Sequence, residues 1–174
     1  METVYIGLGA NISGPAGSPE ATLAAAAASL ERLGRVRARS SLYSTAPVGF
    51  ADQPRFVNAV VALETEMQPR ELLVALLAIE REFGRDRKAE VRNGPRPLDL
   101  DILLYGARQV SEPGLEIPHP RLSERAFVLA PLAEMDATDP RSGRTARELH
   151  AALGADPDAA VRIESGEWGA EGQE

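Results

Sequence analysis

Two predicted helices interrupt the strands of this chain, and their positions constrain the fold more than any other feature. The first begins at Ser18-Pro19, because serine can cap the first amides and proline suits the first helical turn, and it ends at Gly34. The second begins at Pro69 and ends at Gly84, with leucines at helical spacing. Strand patterns occupy residues 4–9, 35–43, 56–64 and 98–105. The order strand, helix, two strands, helix, strand predicts the α+β class, with an antiparallel or mixed sheet.

The length and composition bound the organisation of the chain. Its 174 residues suffice for one well-buried core and are few for two, so we expect a single domain over residues 1–161 and a flexible tail over 162–174. Apolar runs end well before the ~20 residues that a bilayer span needs, and no signal sequence follows Met1. We therefore expect a cytoplasmic protein without a membrane partner, and a monomer as the default.

The charge is unevenly distributed along the sequence. A net charge of −7 repels nucleic-acid phosphates, so no nucleic-acid partner is expected. Between residues 85 and 96, however, five cations stand against Asp86 and Glu90. These cations are Arg85, Arg87, Lys88, Arg92 and Arg96. Such a run is most often a solvated loop, and the alternative is a loop that binds a small anion.

Asp99 and Asp101 follow the cationic segment in a strand pattern. Two residues apart on a strand, they share one face with Cα atoms about 7 Å apart, a spacing at which carboxylates can hold divalent cations against phosphates. An ordinary exposed face is the alternative for Asp-x-Asp alone. The guanidinium groups just upstream favour a polyphosphate site. A metal-dependent phosphodiesterase and a non-catalytic nucleotide-binding regulatory domain remain rival functions.

Several other polar or aromatic residues have two interpretations. Phe56 and Asn58 share a face of the third strand, where they could bind a planar ligand or belong to the core. Glu80 lies on the apolar stripe of the second helix, where a carboxylate must be paired, so it is either a boundary residue or faces a ligand. His119, between two prolines, could be only a turn residue.

Five segments, in consistent order between Val4 and Leu132, resemble the 6-hydroxymethyl-7,8-dihydropterin pyrophosphokinases of folate biosynthesis. They are Asp52-Gln-Pro-Arg-Phe-Val-Asn58, Gly84-Arg85, Gly94-Pro-Arg-Pro-Leu-Asp-Leu-Asp-Ile-Leu-Leu104, Ile117-Pro-His119 and Arg125-Ala-Phe127. The resemblance implies a ferredoxin-like α+β fold, a mostly antiparallel sheet packed by helices. It also implies pyrophosphate transfer from ATP to the hydroxymethyl group of the reduced pterin, with ATP binding first. The chain departs from the family where Asn93 replaces a frequent tryptophan.

The resemblance further implies roles for individual residues. Asp99 and Asp101 would bind two Mg²⁺ ions and, with Arg85 and Arg96, form the catalytic set. The ATP-binding set would be Glu80, Arg85, Arg87, Arg96, His119 and Arg125. The pterin would lie between Phe56 and Phe127, with Asn58 reading its edge and the loop residues Thr45, Ala46 and Val48 closing around it.

Overall fold

The fold is an antiparallel sheet with helices packed on it, which confirms the predicted α+β class. A computed structural model describes residues 1–47, 52–154 and 160–168. The strands are β1 Glu2–Ala10, β2 Arg35–Arg39, β3 Leu42–Thr45, β4 Phe56–Thr65, β5 Asp99–Tyr105, β6 Val110–Glu112, β7 Leu115–Ile117 and β8 Val161–Ile163. The helices are α1 Pro19–Leu30, α2 Pro69–Glu82, α3 Ala126–Leu132 and α4 Ala146–Ala152. None of the helices in the described ranges has the length and apolar character that a membrane crossing requires.

The main sheet brings distant parts of the chain together. Its strands follow the order β5-β1-β4-β3-β8, and β2 also pairs with β4. Each of these pairings is antiparallel. Helices α1 and α2 connect strands that do not follow one another in the sheet, an arrangement compatible with the ferredoxin-like prediction. As a result, β1 lies between β4 and β5, and the site depends on this adjacency.

The two faces of β4 pack against different layers, as its alternation predicts. Val57, Ala59, Val61 and Leu63 belong to the apolar cluster that also contains the buried side chains of α1 and α2. Val60 belongs to a second cluster with residues of α3 and α4. Phe56 and Asn58 share the face of Val60, so they lie on the α3 side of the sheet.

The last described segment is part of the fold. β8 pairs with β3, and the indole of Trp168 is 7% exposed and donates a hydrogen bond to the Ser40 carbonyl at 2.9 Å. The strand expected over 35–43 is interrupted at Ser40 and Ser41, between β2 and β3. These contacts differ from the expectation of a flexible tail beginning at residue 162, because Trp168 supplies an apolar anchor within a polar stretch.

Candidate active site

The floor of the site is the middle of the sheet, where β1 carries glycines. Gly9 pairs with Asn58 on β4 and with Asp99 on β5, while Gly7 pairs with Asp101. Paired residues of adjacent strands project to the same face, so the three polar side chains emerge above the glycines. Because glycine leaves that space empty, a cleft of about 480 Å³ opens there, and all three polar side chains line it.

Most of the predicted site residues line this cleft. They are Thr45, Ala46, Phe56, Asn58, Arg85, Arg87, Arg96, Asp99, Asp101, His119, Arg125 and Phe127. They come from β3, β4, β5, the segment between α2 and β5, and the chain from β7 to α3. Val48 lies outside the described residues. Glu80 is described but does not line the cleft.

Glu80 lies behind the arginines. Its side chain is buried, with 1% of the residue exposed, and its carboxylate accepts hydrogen bonds from Arg85 Nη1, Arg87 Nη2 and the backbone amide of Leu100, each at 2.8 Å. Burial raises the pKa of Glu80, although the Leu100 amide and Arg85 favour its charged form. This placement differs from the predicted ATP contact, because the inner stripe of α2 packs under β5. Glu80 instead anchors two cleft arginines and the strand that carries the aspartates.

Arg85 is the most extensively paired cation of the site. Besides Glu80, it donates to both carboxylate oxygens of Glu90, at 2.7 and 2.8 Å, and to Asp99 Oδ1 at 2.8 Å. Burial alone would lower its pKa, but the hydrogen bond to Glu90 and the charges of Asp99 and Glu80 raise the pKa of Arg85. It therefore remains a cation. Glu90 was not predicted as a site residue, because its sequence position shows only an anion within a cationic run.

Arg96 has an unused hydrogen-bond donor beside the cleft. Its Nη1 donates to Asp99 Oδ2 at 3.2 Å. Its Nε is buried and, within the described part of the chain, has no hydrogen-bond partner. A buried N–H without an acceptor is costly, and an anionic oxygen would satisfy it. The arrangement suits a phosphate oxygen.

Asp99 and Asp101 fit a cation that is shared with a ligand. The pKa of Asp101 is raised first by desolvation and then by the negative charges of Asp99 and Glu80. Keeping both carboxylates ionised so close together therefore costs free energy. Among the described residues, no group of three or more histidine, cysteine or acidic side chains could form a complete metal site. Magnesium typically uses one or two carboxylates and takes its other ligands from phosphates and water. Two aspartates in a cleft that is also lined by arginines match that preference.

Asn58 and two phenylalanines line the other part of the cleft. The Asn58 side chain donates to Thr45 Oγ1 at 2.6 Å, which fixes the orientation of the amide. Its oxygen and second N–H can pair with a ligand edge. Phe56 and Phe127 are half-buried, and the guanidinium of Arg125 lies 5.3 Å from the centroid of the Phe127 ring. Aromatic rings beside an oriented amide are suited to a flat heterocycle.

His119 is a neutral donor in this environment. Desolvation, and after it the positive charge of Arg125, lower the pKa of His119 to about 4. Its Nδ1 accepts a hydrogen bond from the Arg121 amide at 3.2 Å, so the proton of the neutral ring lies on Nε2. The backbone amide of His119 donates to the Leu103 carbonyl at 3.0 Å, which attaches this turn to β5. His119 can therefore donate to an oxygen in the cleft without adding charge.

The spacing at Gly9 yields a testable prediction. A Cβ atom at Gly9 would lie 2.7 Å from Asn58 Oδ1, whereas one at Gly7 would meet only the side chain of Leu103 at 3.4 Å. We expect Gly9→Ala to displace the Asn58 amide and weaken binding of a pterin by about tenfold, the effect of roughly one hydrogen bond. Calorimetric titration with 6-hydroxymethylpterin measures this, with Gly7→Ala as the matched control. Equal affinities of the two variants would contradict the role of Gly9 as a spacer.

Comparison with known proteins agrees with this geometry. The profile of the 7,8-dihydro-6-hydroxymethylpterin-pyrophosphokinase (HPPK) family matches residues 5–137. A Pseudomonas aeruginosa protein named 2-amino-4-hydroxy-6-hydroxymethyldihydropteridine pyrophosphokinase is 49% identical over 156 residues, covering 87% of this chain and 92% of the relative. A Bacillus subtilis protein of the same name is 47% identical over 133 residues, covering 75% and 76%.

The fold also resembles solved structures. The crystal structure of wild-type HPPK-DHPS from Plasmodium falciparum matches 87% of this chain and 41% of that longer chain, with a TM-score of 0.67 and 16% sequence identity. At that identity the match shows the fold alone. The family profile covers most of the chain, and the alignments cover 92% of the Pseudomonas relative and 76% of the Bacillus relative. The chain therefore belongs to the 7,8-dihydro-6-hydroxymethylpterin-pyrophosphokinase family and is an enzyme of the diphosphotransferase class.

Proposed function

We propose that this chain transfers pyrophosphate from ATP to 6-hydroxymethyl-7,8-dihydropterin in the cleft above Gly9, giving the pterin diphosphate and AMP for folate biosynthesis. The observation that carries this proposal is the register of the sheet, in which Gly9 lies between Asn58 and Asp99. A residue suited to a pterin edge and one suited to magnesium therefore face the same space. A site that binds only one of the two substrates would not need both of these residues.

The arginines and His119 hold the triphosphate. Arg85 and Arg96 already hold carboxylates in the cleft, and phosphate oxygens can replace or join those partners because they accept the same charge-assisted hydrogen bonds. The Nε of Arg96 lies 3.8 Å from Glu90 Oε1 and has no hydrogen-bond partner among the described residues, so it gains an acceptor when a phosphate oxygen binds. Arg87 and Arg125 add positive charge at the rim, and His119 donates from Nε2.

Two Mg²⁺ ions are held by Asp99 and Asp101 together with the triphosphate. When bound, they neutralise the charge that develops on the transferred group and help to orient both reactants. Before that, the charge of Asp99 disfavours the charged form of Asp101. Among the described residues, Arg85 and Arg96 form ion pairs with Asp99 and none with Asp101. The two carboxylates are therefore stabilised most when the cations and the nucleotide bind together.

The pterin binds on the opposite side of the cleft. Phe56 and Phe127 stack on its rings, and Asn58, oriented by Thr45, pairs with its edge. Ala46 lines the same cleft. Held this way, the hydroxymethyl oxygen can approach the β-phosphorus in line. The new O–P bond forms, the hydroxyl proton is released to water, and the bond between the β-phosphorus and the oxygen that AMP retains breaks. The arginines stabilise the charge on the transferred phosphates, and no side-chain nucleophile is required.

We further propose that the chain acts as a monomer. The acidic net charge of −7 supports the absence of a nucleic-acid partner and disfavours a metal-dependent phosphodiesterase that acts on nucleic acid. We further propose a cytoplasmic location, where ATP and magnesium are available. Membership of a pyrophosphokinase family weighs against the alternative of a non-catalytic nucleotide-binding domain.

Product analysis tests the proposed reaction. ATP and Mg²⁺ are incubated with the protein, with and without 6-hydroxymethyl-7,8-dihydropterin, and AMP and ADP are quantified by anion-exchange chromatography. We expect AMP to form only with the pterin and in a 1:1 ratio to the pterin diphosphate. ADP, or AMP without the pterin, would contradict pyrophosphate transfer, and so would nucleotide binding without any product. Removal of Mg²⁺ with EDTA is expected to stop the reaction.

A further inference from the structure

Glu90, in the segment between α2 and β5, lines the cleft and is paired with Arg85. Its Oε2 accepts a hydrogen bond from Arg85 Nε at 2.7 Å, and its Oε1 accepts one from Arg85 Nη2 at 2.8 Å. Arginine binds phosphate with the same two-pronged geometry. The hydrogen bond from Arg85 lowers the pKa of Glu90, so this group is a carboxylate at neutral pH. An internal anion therefore occupies the edge of Arg85 that a phosphate would use.

Of the three carboxylates that Arg85 contacts, Glu90 is the one that a ligand can displace. Glu80 has a 2% exposed side chain and also accepts from the backbone amide of Leu100, and Asp99 belongs to β5. Glu90 lies outside the helices and strands, and its side chain is 14% exposed. Among the described residues, its carboxylate accepts hydrogen bonds from Arg85 alone. Moving the Glu90 side chain into water therefore breaks no hydrogen bond to the sheet or to α2.

Arg96 lies on the other side of the Glu90 carboxylate. Its Nε is 3.8 Å from Glu90 Oε1, too far for a hydrogen bond, and has no partner in the described part of the chain. Asn11 holds the backbone of Arg96: its Oδ1 accepts from the Arg96 amide at 2.8 Å, and its amide donates to the Arg96 carbonyl at 3.1 Å. One carboxylate thus satisfies Arg85 but not Arg96. A polyphosphate has enough oxygens to reach both.

We infer that Glu90 is an internal substitute for phosphate, which the nucleotide must displace from Arg85, and that it sets the affinity of the cleft for ligands that carry phosphate. The inference rests on the proposed function, which assigns Arg85 and Arg96 to the triphosphate. Every ligand that uses this edge of Arg85 has to break the same ion pair. Removing the carboxylate therefore raises the affinity for all such ligands by one common factor, and leaves ligands that do not contact Arg85 unaffected.

Calorimetry of the full chain tests this inference with two phosphate ligands. The dissociation constants of inorganic tripolyphosphate and of α,β-methylene-ATP, each with Mg²⁺, are measured for the wild type and for Glu90→Gln. We expect both ligands to bind the variant about tenfold more tightly, the effect of losing one competing charge-assisted contact, and by the same factor. Tripolyphosphate has no adenosine, so its gain assigns the competition to the phosphates. The affinity for 6-hydroxymethylpterin should not change.

Two further variants separate displacement from other effects of charge. Asp86→Asn removes one negative charge from the same segment, but Asp86 does not line the cleft, so the affinities for both phosphate ligands should stay at the wild-type values. An equal gain in Asp86→Asn and Glu90→Gln would overturn the inference in favour of a general charge effect. Glu90→Ala removes the whole carboxylate side chain, including the amide with which glutamine could still contact Arg85, and should also bind both ligands more tightly.

The direction of the change decides between competition and support. Unchanged or weaker binding of both phosphate ligands to Glu90→Gln and Glu90→Ala would overturn the inference, because Glu90 would then hold Arg85 in place for the nucleotide. Pterin-dependent AMP formation by the wild type would in that case leave the proposed reaction intact. Failure of the wild type to bind either phosphate ligand, even at millimolar concentration, would overturn the proposed function and this inference together.

Discussion

Asp101→Asn is expected to lower kcat by about a thousandfold and, at the same time, to stabilise the protein when magnesium is absent. The loss of activity follows from removing a carboxylate that holds Mg²⁺ against the triphosphate, an interaction worth several kcal/mol in the transition state. The gain in stability follows from removing a desolvated acid beside Asp99 and Glu80. Opposite effects on activity and stability are typical of a residue retained for function.

The pH dependence of stability gives a second test of Asp101. Burial raises its folded-state pKa from 3.8 to about 8, so between these values the folded protein binds more protons than the unfolded chain. The stability that this group contributes is therefore fully present below about pH 4 and is lost as the pH rises towards 8. The Tm of Asp101→Asn should exceed that of the wild type by a margin that grows across this window. The expected margin is about 2–4 °C for each kcal/mol of added stability.

Two controls separate the metal site from a general charge effect. Asp136→Asn makes the same chemical change at an exposed position that does not line the cleft, and it should alter neither kcat nor the pH profile. Added Mg²⁺ with α,β-methylene-ATP should raise the Tm of the wild type by mass action and raise that of Asp101→Asn much less. Retained turnover in Asp101→Asn would contradict the proposed role.

Local patterns predicted the elements of this fold well. Proline and glycine at the ends of α1 and α2 marked both helices, and the alternation of β4 assigned its faces correctly. The break between β2 and β3 was missed, because Ser40 and Ser41 make hydrogen bonds to residues far along the chain, which no local pattern shows. Periodicity reports the face of a residue and not its partners.

The candidate site was predictable one residue at a time, whereas its assembly was not. The positions of Asp99 and Asp101 indicated a shared face, but only the register of β1 shows that Asn58 faces the same cleft. The apolar stripe of α2 indicated that Glu80 must be paired, but it did not identify the partner. Asn11 was missed because its acceptor contact with Arg96 spans 85 residues, a separation at which no local pattern is informative.

Arg85→Met is expected to destabilise the protein by about 3–5 kcal/mol, the usual cost of leaving a buried charge without its partner. Arg87→Met is the matched comparison, since both arginines donate to Glu80 at 2.8 Å. The Arg87 side chain is 54% exposed and that of Arg85 is 2% exposed, so water can replace the contact of Arg87 but not that of Arg85. We therefore expect Arg87→Met to cost less than about 1 kcal/mol. Urea denaturation of the three proteins measures the difference.

A compensating substitution separates the structural role of Arg85 from its catalytic role. Glu80→Gln combined with Arg85→Met removes both charges of the buried pair. The double variant should therefore be more stable than Arg85→Met alone, in which the buried Glu80 carboxylate keeps only the exposed Arg87 as a cationic partner. Its kcat should stay as low as that of Arg85→Met, since neither replacement supplies a guanidinium to the triphosphate. Recovery of stability without recovery of turnover would assign Arg85 both roles. Recovery of both would mean that Arg85 acts only by pairing with Glu80, and the phosphate contact would then be assigned to Arg96 and Arg87.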